Sequence, residues 1–165
     1  MNPEKQLVHA VKLHQTGKLD AAERAYKKFL KHRGSHSEAN RLYGLLAESA
    51  GRVGLAEELF SRALKGQQAS AELYLKLSAI KRTSGKLDDA AELLERGVAT
   101  IGDVELIARL AEVRQDQGNK AEANKLLAQA HEISPMDASV YLSEGAILNR
   151  RGDYLGALRA FSTAA

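Results

Sequence analysis

The histidines are the side chains best suited to chemistry, since an imidazole can bind a metal ion or carry a proton. Two of the five histidines, His32 and His36, are four residues apart, but Gly34 interrupts the helix that would place them on one face. His9 and His14 lie in one predicted helix at a spacing that turns them to different sides. The histidines therefore predict no metal site.

One serine lies in a segment that is similar to the nucleophile elbow of hydrolases. This is Ser49, in the run Ala47-Glu48-Ser49-Ala50-Gly51. A nucleophile elbow needs a strand before the serine and an oxyanion hole beside it, whereas this segment has the pattern of a helix end. The sequence also contains no phosphate loop, glycine-rich dinucleotide loop or paired-histidine metalloprotease motif. We therefore predict no catalytic residue and no cofactor, and we predict that the chain is not an enzyme.

Five glycines mark a sequence repeat of about 34 residues. They are Gly17, Gly51, Gly85, Gly118 and Gly152, and successive members lie 34, 34, 33 and 34 residues apart. An alanine follows each glycine by five residues, and a small residue precedes each by seven. Apolar residues recur every three or four positions on both sides of each glycine, which predicts two helices per repeat. The small residues predict close approach of the two helices of each pair.

Residue types also predict several helix ends. Asn2, Ser70, Asp103 and Asp137 stand where a helix N-cap is expected, and Pro135 follows a predicted helix end. Gly17 is expected to end the first helix in the left-handed conformation. No stretch alternates long enough to predict a strand.

The repeat resembles the tetratricopeptide repeat family over essentially the whole chain. The matching residues include Tyr43-Gly44 with Gly51, Ala56, Phe60 and Ala63, then Tyr74, Leu77, Ser78, Gly85 and Ala90, and then Ile107, Leu110, Ala111, Gly118, Ala123, Leu127, Ala130 and Pro135. This resemblance implies an all-α, right-handed superhelical α-solenoid of antiparallel helix pairs. We predict one array over residues 1–165, with repeats at approximately 3–36, 37–70, 71–103, 104–137 and 138–165, the last incomplete.

Some features depart from the family pattern. Only Pro135 supplies the proline that often separates repeats, and one residue is missing near Ile101-Gly102. No polar capping helix follows Ala165, which predicts either an open end or a boundary within a longer protein.

Composition narrows the class of protein. The chain has 165 residues, 44% hydrophobic and 27% charged, with no cysteine and a formal charge of +3. We expect a folded, cytoplasmic protein without membrane insertion, because no signal peptide or long apolar run occurs. Nucleic-acid binding is not expected, since the charges alternate in sign and no basic run with aromatic platforms is present.

The resemblance further implies a concave groove lined by the first helix of each pair, with a protein or peptide as partner. Residues four and seven positions apart share a helix face, and those expected to line the groove are Leu7, Val11, His14, Arg41, Leu45, Glu48, Leu75, Ala79, Arg82, Ala108, Glu112, Gln115, Leu142, Ala146 and Asn149. Some family members clamp a peptide carboxylate with lysine and asparagine, but Leu7 and Val11 stand at those places. An apolar segment is the better expected ligand.

The sequence leaves three functional hypotheses. The first is a scaffold or adaptor that binds a protein segment in the groove. The second is a homo-oligomer that assembles through its open ends. The third is the N-terminal interaction domain of a larger bacterial transferase, since the run from Leu13 to Glu23 resembles arrays that precede such enzymes.

Overall fold

The structure is a computed structural model that describes residues 2–66 and 69–165. Over these two ranges the chain forms ten α-helices and no strand. The helices are α1 (Pro3–Gln15), α2 (Leu19–Leu30), α3 (Ser37–Ser49), α4 (Val53–Leu64), α5 (Ala71–Thr83), α6 (Leu87–Ile101), α7 (Val104–Asp116), α8 (Lys120–Ile133), α9 (Ala138–Arg150) and α10 (Tyr154–Ala164). The predicted all-α class is confirmed.

The helices belong to two compact units, Met1–Leu77 and Ser78–Ala165, whose boundary falls inside α5. In the first unit, α1 packs with α2, α3 packs with α4, and α2 also contacts α3. In the second unit, α7 packs with α8 and α9 with α10, while α7 also contacts α6 and α9. Each unit is thus a stack of neighbouring helix pairs, as in a solenoid. A single array over residues 1–165 stays a prediction.

Each of the five predicted turns has the same backbone geometry. The repeat glycines all have φ between 69° and 82°, where a side chain would cost about 1 kcal/mol. At the first turn, the N–H of Gly17 bonds to the carbonyl of His14 at 3.1 Å, and that of Lys18 bonds to Leu13 at 3.0 Å. This pair of bonds is a Schellman motif, and it confirms why the period is marked by glycine.

Three of the predicted N-caps are present. The Asn2 side chain accepts from the N–H of Glu4 at 3.0 Å, Asp103 from Glu105 at 2.9 Å, and Asp137 from Ser139 at 2.8 Å. Ser70 stands directly before α5, at the predicted N-cap position, but its hydroxyl makes no hydrogen bond with any described residue.

Small residues bring the paired helices together, as predicted. Ala10 and Ala22 are fully buried between α1 and α2. A Cβ on Gly44 would lie 2.5 Å from a ring carbon of Phe60, and one on Gly145 would lie 2.5 Å from Phe161. The contact made by these two glycines is therefore an aromatic ring on the partner helix rather than the alanine that the spacing predicted. None of the helices in the described ranges is long and apolar enough to span a bilayer.

Candidate partner-binding face

In the first unit, the predicted groove residues lie on α1, α3 and the start of α5. The opposite face of α3 is committed to the core, where Tyr43, Leu46 and Ala47 are buried. This burial fixes the rotation of α3 and leaves Leu45 half-buried on its accessible side. Leu7, Val11 and Leu75 are half-buried in the same way. We call these four side chains, Leu7, Val11, Leu45 and Leu75, the apolar line.

The predicted polar residues of this unit form ion pairs between α3 and α5. Arg41 donates to Glu38 at 2.8 Å on its own helix and to Glu72 at 2.8 Å on α5. Lys76 donates to Glu48 at 2.6 Å. The hydrogen bond from Arg41 holds the pKa of Glu38 below its ordinary value, despite the opposing effect of burial. These side chains therefore join neighbouring repeats at the edges of the apolar line.

His14 turns toward the interior of the first unit. Its Nδ1 lies 3.4 Å from the hydroxyl of Tyr26, whose ring stacks on that of Tyr43. Burial raises the pKa of Tyr26 to about 12. Tyr43 in turn donates to Glu23 at 3.0 Å. The predicted groove residue His14 is thus engaged by Tyr26 of its own repeat, and Tyr26 and Glu23 in turn contact Tyr43 of the next repeat.

Glu23 is the most strongly perturbed acid of this unit. It accepts from Arg52 at 2.8 Å and also pairs with Lys27 at 2.8 Å. The hydrogen bond from Arg52, followed by that from Lys27, lowers the pKa of Glu23 to about 2. Since Arg52 lies in the next repeat, this pair stabilises the contact between repeats and has no geometry of a catalytic acid.

In the second unit, two predicted groove residues of α7 are enclosed. Ala108 is fully buried, and Glu112 is only 2% exposed. Neither side chain offers a surface that a partner could contact in this structure. The predicted groove positions of Ala108 and Glu112 are therefore enclosed rather than open in this structure. The physical reason is the packing of α9, whose Ser143 hydroxyl donates to Glu112 at 2.8 Å.

Three arginines converge on Glu112. Arg82 of α5 and Arg109 of α7 each donate to it at 2.8 Å, and Arg150 of α9 donates at 3.2 Å. Burial alone would raise the pKa of Glu112, but the Ser143 hydrogen bond and the arginine charges hold it below its ordinary value. We call Glu112, its three arginines and Ser143 the Glu112 cluster.

The remaining predicted residues of the second unit divide into paired and accessible groups. Arg82 also donates to Asp116 at 2.5 Å, and Gln115 accepts from Arg151 at 2.6 Å. Ala79, Leu142 and Asn149 are exposed, and Ala146 is half-buried. The accessible part of this face is consequently small and mixed in polarity.

Sequence reasoning missed several members of the Glu112 cluster and its surroundings. Ser143, Arg109, Arg150 and Asp116 were not assigned to the groove face. A signal was available, because Glu112 stands in a column where other repeats carry Val11, Leu45, Ala79 and Ala146. A carboxylate in an apolar column, with arginines about one repeat away on either side, indicates a compensated buried charge.

The serine and histidines considered above as candidates for chemistry contact helix ends or neighbouring side chains. The Ser49 hydroxyl donates to the carbonyl of Leu46 at 2.9 Å, at the end of α3. His36 caps α3, accepting from the N–H of Ala39 at 3.2 Å. His131 lies 3.1 Å from Glu144. In the described part of the chain, no three histidine or carboxylate side chains come together as a metal site.

Comparison with known proteins gives a family match and a set of similar folds. Residues 9–72 match a model described as tetratricopeptide repeat. No curated protein sequence matches the chain. A crystal structure of MamA is 24% identical with a TM-score of 0.74, and the match covers 94% of this chain and 91% of MamA.

Two further solved structures have the same fold. YrrB, described as a TPR protein with an unusual peptide-binding site, is 21% identical over 96% of this chain and 82% of its own, with a TM-score of 0.72. PilF of Pseudomonas aeruginosa is 16% identical over 99% of this chain and 76% of its own, with a TM-score of 0.71.

Proposed function

We propose that this tetratricopeptide-repeat protein is a non-catalytic protein–protein interaction module that binds a peptide or protein segment along the apolar line of its first unit. The observation that carries the proposal is the contrast between that line and the charges beside it. Arg41, Glu48, Glu72 and Lys76 are consumed by ion pairs within the chain. The four apolar side chains of the line are half-buried.

The ion pairs also support binding by keeping the face in one arrangement. Arg41 bridges Glu38 and Glu72, and Lys76 bridges back to α3, so α3 and α5 are joined at both edges of the line. A surface that is already ordered loses less conformational entropy when it binds. A ligand segment with apolar side chains at regular spacing, and few charges, fits such a surface. The peptide-binding site named for YrrB agrees with a peptide as the ligand class.

The test uses a random peptide library selected on the immobilised chain, followed by fluorescence anisotropy with the enriched peptides. We expect apolar peptides to be enriched. Leu45→Glu and Leu75→Glu should each weaken their binding at least about tenfold, because burying an unpaired carboxylate against a ligand is unfavourable. Val53→Glu, at an exposed apolar residue of α4 in the same unit, is the matched control and should bind normally.

Circular dichroism of each variant separates loss of the face from loss of the fold. The proposal fails if the enriched peptides bind the two leucine variants as tightly as the wild type while all proteins remain helical. It also fails if the leucine variants and Val53→Glu weaken binding equally.

A second candidate function, self-association through α10, is favoured by one observation. Tyr154, Leu155 and Leu158 of α10 are all more than half exposed. Such a concentration of apolar surface on one helix is typical of an interaction site.

A further inference from the structure

The columns of residues that join one repeat to the next differ between the two ends of the chain. In α3, the residues twelve, eight and five positions before the repeat glycine are Ala39, Tyr43 and Leu46, and all are buried. The same three columns are buried in α5 and α7, and the first and last of them are buried in α9. Their members there are Leu73, Leu77, Ile80, Leu106, Leu110, Val113, Val140 and Ile147. In α3, α7 and α9, which contact α2, α6 and α8, these columns are the expected packing surface for the preceding repeat.

The corresponding residues of α1 are Lys5, His9 and Lys12, and all three are exposed. With Glu4 and Val8 they line a shallow depression on the outer side of α1. Packing an apolar helix onto this surface would remove two lysines from water without giving them a partner. The N-terminal face therefore disfavours an apolar partner.

The last helix has the opposite character. Tyr154, Leu155, Leu158 and Phe161 are 70, 73, 62 and 39% exposed. Where α10 carries Leu158, the earlier repeats carry Glu23, Glu57, Ala91 and Asn124. Glu23 and Asn124 contact arginines of the following repeat, at 2.8 Å in both cases. We call Tyr154, Leu155, Leu158 and Phe161 the tail stripe.

The tail stripe contains no acidic residue that could pair with the lysines of α1. Asp153, the carboxylate directly before the stripe in sequence, accepts the N–H of Gly156 at 2.9 Å as the N-cap of α10. Head-to-tail packing of two copies would thus place Lys5 and Lys12 against apolar side chains. Two tail stripes, in contrast, are both apolar and match each other.

We propose that two copies of this chain associate tail to tail, with the tail stripe of one packed on the tail stripe of the other about a two-fold axis. This proposal rests on the second candidate function and names the surface and the symmetry. The interface is isologous, so it closes with two copies and does not propagate into a filament. Leu158 lies midway along the stripe, and a central residue of an isologous interface contacts its own counterpart.

The available area sets the strength of this dimer. The four side chains of the tail stripe expose on the order of 450 Å² per copy, as judged from typical side-chain areas. Two copies would bury roughly 900 Å², which is below the ~1,200–2,000 Å² of stable complexes. We therefore expect a weak dimer, with a Kd on the order of 10–100 μM.

The test is sedimentation equilibrium of the full chain over a range of concentrations. The mass of the wild type should rise from that of the 17.9 kDa monomer toward twice this value. Leu158→Glu and Leu158→Lys should each remain monomeric, since like charges would meet at the axis. An equimolar mixture of the two variants should regain the dimer. Val8→Glu, on the N-terminal face, is the matched control and should dimerise as the wild type does.

Each contrary result has a distinct meaning. A wild type that stays monomeric at about ten times the expected Kd would overturn both self-association and the tail-to-tail arrangement. The same result is expected if a different protein, rather than a second copy, covers the tail stripe. Stronger association of Leu158→Glu would show contact with the lysines of α1, and would overturn only the tail-to-tail arrangement. Disruption by Val8→Glu, failure of the mixture to associate, or masses beyond the dimer would do the same. Retained helicity of each variant excludes misfolding as the cause.

Discussion

Replacing Glu112 by glutamine tests whether the Glu112 cluster stabilises the second unit. The carboxylate accepts from Ser143, Arg82 and Arg109 at 2.8 Å and from Arg150 at 3.2 Å, while it is 2% exposed. The amide of glutamine keeps the size of the side chain, but it removes the charge and turns an NH2 group toward arginine donors. The variant therefore leaves three arginines without their shared anion.

The size of the stability loss depends on how many of the lost hydrogen bonds the arginines can replace with water. Hydrogen bonds to a charged group contribute about 1.5–3 kcal/mol each, and removing one partner of a buried pair costs about 3–5 kcal/mol. The three arginines are partly exposed, so water can replace some of what they lose. We expect Glu112→Gln to lower the free energy of unfolding by about 2–4 kcal/mol. For a chain of this length, that corresponds to a fall in the unfolding midpoint of roughly 5–15 °C.

The assay combines urea unfolding, followed by circular dichroism, with hydrogen exchange. Hydrogen exchange shows which helices lose stability. This matters because a repeat array need not unfold in one step. Protection should fall in α7 and α9 and remain in α1 and α2. Glu105→Gln is the control, since Glu105 pairs with Arg109 at 3.3 Å at a partly exposed position of the same helix and should change stability by less than about 0.5 kcal/mol. Equal small effects of the two substitutions would refute the reasoning.

Three further predictions concern the helix pairs and the acidic groups. Gly44→Ala should destabilise by about 1–3 kcal/mol, because the new Cβ would lie 2.5 Å from the buried ring of Phe60; a denaturant midpoint equal to that of the wild type would contradict this. Gly145→Ala makes the same 2.5 Å approach to Phe161, whose partly exposed ring can move aside, so its cost should be smaller in the same assay. The pKa values of Glu23, Glu38, Glu112 and Asp137 are lowered in the folded chain, so the stability they confer is present above their unfolded pKa values. The thermal unfolding midpoint should therefore fall as the pH drops from about 4.5 toward 2. This interval lies between the ordinary pKa of Glu23 and its pKa in the folded chain. A midpoint that is constant over the interval would show that these acidic groups do not stabilise the fold.

The sequence was sufficient for local structure because the determining interactions are local. The Schellman turn at Gly17 needs only a residue that tolerates positive φ, and the caps at Asn2, Asp103 and Asp137 need only an acceptor two residues before an N–H. The α2 helix ends at Leu30, four residues before Gly34. Helix ends are set by small energies in which tertiary contacts also take part.

The burial of Ala108 and Glu112 does not follow from the periodicity of their own helix. Spacing placed Ala108 and Glu112 on the same face as Leu45 and Leu75, and the helical period supports that assignment for an isolated repeat. Whether the face remains open depends on side chains from the neighbouring repeats, which the period does not describe.

By itself, the sequence determined the five turns and the helices on either side of them, because these follow from glycine conformation and from residue periodicity along one helix. Only the tertiary structure decided that Glu112 is enclosed by Arg82, Arg109, Arg150 and Ser143. The physical reason is that these donors come from three helices. Arg82, Ser143 and Arg150 lie 30 to 38 residues from Glu112 in sequence. Whether they meet at Glu112 depends on how the helices are rotated and packed.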